Sequence, residues 1–88
     1  MASRDPSQLF ERFARKGDTH ALGEVYDELA PELYRLALHL ARDGAEAEDL
    51  LQQTFVTAIE RAASFVPGSP VRPWLSGILA HPPSFLRV

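Results

Sequence analysis

Apolar residues recur every three or four positions over four stretches of the chain, and nowhere do they alternate with a period of two. That spacing puts them on one face of a helix, so the pattern predicts four helices and no strand. The first covers about residues 7–16, with Leu9, Phe10, Phe13 and Ala14 as its stripe. Asp5-Pro6 offers an N-cap followed by a first-turn proline, Arg15 and Lys16 suit the negative end of the helix dipole, and Gly17 can close the end. The second covers about residues 20–42, capped by Asp18 or Thr19. Its stripe is Leu22, Val25, Tyr26, Leu29, Leu33, Leu36, Ala37 and Leu40. Pro31 falls inside this pattern. Proline lacks the N–H and clashes one turn back, so a kink or break is expected near residues 28–30.

The third helix is expected over about residues 45–64, with Ala47, Leu50, Leu51, Phe55, Ala58, Ile59 and Ala62 facing inward. Asp43 and Glu46 have the spacing of a capping box. The fourth covers about residues 70–80, with Val71, Trp74, Leu75, Ile78 and Leu79 as its stripe, and Pro82-Pro83 stops it. Short connections make consecutive helices neighbours. The fold class is therefore all-α, a small antiparallel bundle of three to four helices. One domain spans residues 1–88, with its core at about 7–80 and an irregular tail at 81–88.

Composition narrows the class. At 88 residues the chain suffices for one small domain, which buries only about 60–65% of its unfolded surface. Hydrophobic residues make up 45% and charged residues 24%, as in ordinary globular proteins. There is no cysteine, hence no disulfide framework, thiolate site or cysteine nucleophile. No apolar run reaches the roughly 18–20 residues that span a bilayer, and the N-terminus lacks the apolar stretch of a signal peptide. The expected location is the cytoplasm, with no membrane partner.

Net charge is −3, unevenly spread. All twelve acids lie in residues 1–60, whereas residues 61–88 carry Arg61, Arg72 and Arg87 and no acid. Such a balance argues against nucleic acid as the sole partner, because neutralising phosphates takes clustered Lys and Arg.

No catalytic, phosphate-binding or metal-binding motif is present. His20, His39 and His81 sit on separate segments and read as solvated side chains. Asp27/Glu28 and Glu48/Asp49 are adjacent, and adjacent helical residues point about 100° apart, so they form no carboxylate dyad. The chain is expected to be no enzyme and to hold no cofactor and no metal.

One face of the third segment is more informative. Asp49, Gln52, Gln53, Val56 and Glu60 follow helical spacing opposite the apolar stripe. Carboxylates and amides on a rigid helix can bond arginines of another helix. From spacing alone, a solvated polar face is the simpler explanation. Phe65 and Trp74 flank a loop carrying Pro, Gly, Ser and Arg72, and aromatics beside a basic loop can stack unpaired bases. For Trp74 a core role competes, since it is in register with Leu75 and Ile78.

The run AEAEDLLQQTF at 45–55 resembles the AEDLVQETF signature of bacterial RNA polymerase sigma factors. RPWLSGI at 72–78 resembles the RxWLxxI motif that follows it in the extracytoplasmic-function (ECF) class. Leu22, Tyr26, Pro31, Leu33, Tyr34, Ala37 and Leu40 resemble that family's first conserved helix. The resemblance spans about residues 21–78, and it reverses the simpler explanation of the polar face.

The resemblance implies region 2 of a sigma factor. That helical domain docks on the clamp helices of the polymerase β′ subunit. The docking stretch corresponds to Asp49, Leu50, Leu51, Gln52 and Gln53, with Val56 beside them. The loop before the WL motif helps hold an unstacked base of the promoter −10 element. It corresponds to about residues 65–72 and makes Phe65, Ser69, Arg72 and Trp74 the DNA-contact candidates. The expected partners are core polymerase, mainly single-stranded −10 DNA, and an anti-sigma protein that covers the apolar face of the second helix.

Two departures bear on these roles. Gln53 stands where the family usually has Glu, which removes a charge from the docking face. Pro82-Pro83 stand where the family continues into a basic recognition helix, and the C-terminal helix-turn-helix that binds the −35 element is absent from the 88 residues. Two alternatives therefore stay open. One is a truncated sigma-like regulator that competes for the clamp. The other is a self-associating helical module, based on Ala30, Tyr34, Leu38 and Ala41 beside the main stripe of the second segment.

Overall fold

A computed structural model describes residues 5–82. Helix α1 spans Pro6–Lys16, α2 Thr19–Leu40, α3 Gly44–Glu60 and α4 Val71–Ala80, with a 3-10 turn at Ala62–Ser64. No strand occurs among the described residues. Of the expected irregular tail only His81 and Pro82 are described; the rest lies outside the described residues.

Local chemistry sets the helix ends. Asp5 Oδ1 accepts from the Ser7 N–H at 3.2 Å and starts α1 at Pro6. Asp18 Oδ1 accepts from the Ala21 N–H at 3.1 Å and starts α2. Asp43 Oδ1 accepts from the Glu46 N–H at 2.8 Å and starts α3. Each carboxylate satisfies a donor that has no partner inside its helix. The expected capping box is displaced by one residue. The Glu46 carboxylate takes the backbone N–H of Arg42, not of Asp43, at 2.9 Å, and binds the Arg42 guanidinium at 3.0 Å.

The helices pack as neighbours in chain order. Asp18 at the start of α2 pairs with Arg12 of α1 at 3.3 Å. Tyr26 of α2 lies against Phe55 of α3, and Tyr34 lies beside Gly44, so α2 and α3 run antiparallel. The core takes Leu9 and Phe10 from α1 and a ridge of every fourth residue from α2, namely Ala21, Val25, Leu29, Leu33 and Ala37. Ala47, Leu51, Phe55 and Ala58 join it from α3, and Val71, Leu75, Ile78 and Leu79 from α4. Phe10, Phe65 and Trp74 meet as a triangle, with ring centroids 5.0–5.3 Å apart.

Several expectations are corrected. Of the kink or break expected near Pro31, the break does not occur: α2 runs continuously to Leu40. The hydrogen bond that proline forfeits falls at the Asp27 carbonyl, and both residues are exposed, so water can satisfy it. Leu29 and Leu33, on either side, hold the inner face to the core. Helix α3 stops at Glu60 and tightens into the 3-10 turn, short of residue 64. Leu40 and Ile59, both placed inward by spacing, are 53% and 46% exposed. Thr54 and Thr57 are buried instead, and the Thr54 hydroxyl donates to the Leu50 carbonyl at 2.8 Å. Ala30, Tyr34 and Ala41 pack against their own core, which leaves Leu38 as the exposed member of that face.

Candidate functional site

Helix α3 buries one side and presents the other. Asp49, Gln52, Val56 and Glu60 are exposed, and Leu50 and Gln53 are half-buried. The spacing that takes Ala47, Leu51, Phe55 and Ala58 inward carries this second row outward. Together they form a polar ridge. The Gln52 amide donates to the Tyr26 hydroxyl at 3.3 Å, and the Tyr26 ring meets Phe55 edge-on at 4.8 Å. Tyr26 thereby ties a residue of the ridge to the core.

An apolar groove flanks the ridge on each side. One, of about 380 Å³, lies between α2 and α3 and is walled by Leu22, Tyr26, Val56 and Ile59. The other, of about 620 Å³, is walled by Leu40, Leu50, Leu79 and Pro82, with Asp49 and Gln53 on its edge. A polar ridge between apolar grooves suits a helical partner, whose charged side chains meet the ridge while its apolar side chains enter the grooves. Leu22, Leu40 and Ile59 belong to this surface, although spacing assigned all three to the core; Leu79 is fully buried, as spacing expects, and lines the larger groove from the core. The i+3 relation of Ile59 to Val56 was the available signal for one of them. The rest depends on how α2, α3 and α4 come together.

Charge on this surface is acidic. Glu46 borders the larger groove. The Arg42 backbone N–H, reinforced by the Arg42 guanidinium, holds its carboxyl below the usual carboxylate range. Gln53 sits half-buried beside Asp49 at the groove and adds no charge.

The loop before α4 is a second region. A turn closes where the Ser69 N–H donates to the Val66 carbonyl at 3.0 Å. Gly68 has φ 87°, a left-handed conformation that glycine adopts without cost from a Cβ. Ser69 and Arg72 line a concavity of about 410 Å³ that also includes Asp5, Ser7 and Gly68. Arg72 Nε lies 3.4 Å from Glu32 Oε1, an exposed pair. The other two DNA-contact candidates do not line it. Phe65 is only 6% exposed, and its ring is enclosed by Phe10 and Trp74, which leaves no free face for a base. Trp74 is half-buried in the same triangle, so both rings support the loop from beneath. The resemblance thus grouped four residues that the fold separates into two on the rim and two below it.

Among the described residues, no group of three or more His, Asp or Glu is placed to hold a metal ion. Nor is any described helix long and apolar enough to cross a membrane.

The family model for sigma-70 region 2 matches residues 25–81, more than half of the chain. The chain is 38% identical over 71 residues to RNA polymerase sigma factor CarQ of Myxococcus xanthus, covering 81% of this chain and 40% of the relative. It is 36% identical over 58 residues to ECF RNA polymerase sigma factor BldN of Streptomyces coelicolor, covering 66% of this chain and 22% of the relative. With ECF RNA polymerase sigma factor SigM of Bacillus subtilis it shares 39% identity over 54 residues, 61% of this chain and 32% of the relative. The chain spans less than half the length of each of these curated relatives. No solved structure matches. On the strength of the region 2 match and of these relatives, the chain belongs to the sigma-70 region 2 family, within the ECF class.

Proposed function

We propose that the chain acts in transcription initiation by binding core RNA polymerase at the β′ clamp helices, through Asp49, Leu50, Gln52, Gln53 and Val56. The observation that carries this reading is the polar ridge on α3 between two apolar grooves. Asp49, Gln52 and Gln53 receive arginines or amides of the clamp helices, and Val56 and Leu50 give the contact apolar area. The relatives, described as RNA polymerase sigma factors, support the choice of partner. In the same reading, Ser69 and Arg72 meet unstacked −10 promoter DNA at the concavity before α4, while Phe65 and Trp74 support the loop.

A pull-down with a β′ clamp-helix fragment tests the docking. Wild-type chain is retained, and a chain carrying Asp49→Arg and Gln52→Ala is lost. A wild type that is not retained contradicts the proposal. A second reading, a regulator that competes for the clamp, draws on α4 stopping at Ala80 ahead of Pro82. Transcription assays with an intact sigma factor separate the two. Inhibition by added chain favours the competitor, and promoter-specific stimulation rules it out. A third reading, self-association, has less apolar area to draw on, since Ala30, Tyr34 and Ala41 are half-buried against the chain's own core.

A further inference from the structure

Helix α1 precedes the matched family region, which begins at residue 25. Even so, it holds the loop before α4 at three points. The Glu11 carboxylate accepts from the Gly68 N–H at 2.7 Å, across 57 residues of chain. The Ser7 hydroxyl accepts from the Val71 N–H at 2.8 Å, across 64 residues. Phe10, fully buried, packs edge-on against Phe65 and tilted against Trp74.

These contacts answer needs that the loop cannot meet itself. Helix α4 has Pro70 at its N-cap and no side-chain cap of its own. Its first N–H groups lack intrahelical partners, and Ser7 satisfies the one on Val71 from another helix. Gly68 is in a left-handed conformation with a backbone N–H turned toward α1, and Glu11 accepts it with a charged oxygen, which makes the bond strong. The six-residue loop at 65–70, with two prolines and a glycine, has several turn conformations open to it. Two fixed amides, one on either side of Ser69, leave it one.

We infer that Ser7 and Glu11 are positioning residues for single-stranded DNA: α1 sets the loop geometry in which Ser69 and Arg72 face an unpaired base. The inference rests on the proposed DNA role of that loop. Neither residue needs to touch DNA for this effect. Ser7 also lines the concavity beside Ser69 and Arg72, so the element that shapes the loop also forms part of the wall.

The test measures binding of fluorescein-labelled, random-sequence single-stranded DNA to the full chain at low salt, alongside retention on the clamp-helix fragment. The variants are Ser7→Ala with Glu11→Ala, and the rescue pair Ser7→Thr with Glu11→Gln, which keeps both acceptors. The alanine pair is expected to weaken DNA binding about tenfold, the scale of two lost hydrogen bonds. The rescue pair restores it, clamp retention is unchanged, and amide exchange accelerates at Gly68 and Val71 in the alanine pair alone. Equal DNA affinity in wild type and alanine pair overturns the inference and leaves the DNA role of the loop standing. A wild type that binds no single-stranded DNA overturns that role and the inference with it. Parallel loss of DNA binding and clamp retention overturns it too, since that is the signature of a destabilised bundle.

Discussion

Glu46 and Gly44 show how single residues at the start of α3 are tuned. Glu46 accepts from the Arg42 backbone N–H and guanidinium, and both contacts favour its charged form. Its carboxyl is lowered in the folded chain relative to the unfolded one. Its contribution is therefore complete at neutral pH and lost as pH falls through the depressed value. A chain with Glu46→Gln is expected to show a smaller fall in thermal midpoint on acidification than wild type, read by circular dichroism across the acidic range. At Gly44 an added Cβ would lie 3.1 Å from the Tyr34 hydroxyl, tighter than ordinary contact. Gly44→Ala gains helix propensity but pushes on Tyr34. It should be more stabilising in a Tyr34→Phe background than alone, with a coupling of about 0.5 kcal/mol in a double-mutant cycle by urea unfolding.

Among the elements, α2 carries a proline that its continuity tolerates. An interior proline costs about 3 kcal/mol against alanine in an exposed helix. Proline also restrains the unfolded chain, worth about 1 kcal/mol in the other direction. Pro31→Ala is expected to stabilise the fold by roughly 2 kcal/mol, since it restores the bond to the exposed Asp27 carbonyl. Urea unfolding reads this directly, and an unchanged or lower midpoint would show that Pro31 is needed where it stands. Helix existence and order were legible in the chain because each signal is local. Asp5, Asp18 and Asp43 cap within three residues, and the apolar stripes follow one period. The end of α3 was not legible, because nothing near residue 60 interrupts the apolar pattern that runs on to Ala62. Leu40 and Ile59 were misplaced for a different reason. They fall on the margins of their stripes, where the approach of a neighbouring helix decides burial.

For the whole molecule, the candidate surfaces draw on residues far apart in sequence. The Asp49, Gln52, Gln53 and Val56 row was readable from spacing within one helix. The grooves beside it were not, since they join Leu22 to Ile59 and Leu40 to Leu79. The hold of α1 on the loop was equally hidden, because nothing local to Ser7 or Glu11 points to Val71 or Gly68. Phe10 links these scales. It is fully buried where α1, Phe65 and α4 meet. Phe10→Ala is expected to cost about 3–5 kcal/mol, a large part of the stability of a domain this small. Thermal unfolding should show a lowered and broadened transition.

The central claim is that the α3 ridge is the polymerase-docking face. Its most direct test is a titration of the β′ clamp-helix fragment with wild-type chain and with the Asp49→Arg, Gln52→Ala variant, both verified as folded by circular dichroism. The account predicts saturable binding by wild type, and affinity lower by about a hundredfold in the variant, because a cation then faces the arginines of the partner. Equal binding by the two chains, or no binding by wild type, would contradict it.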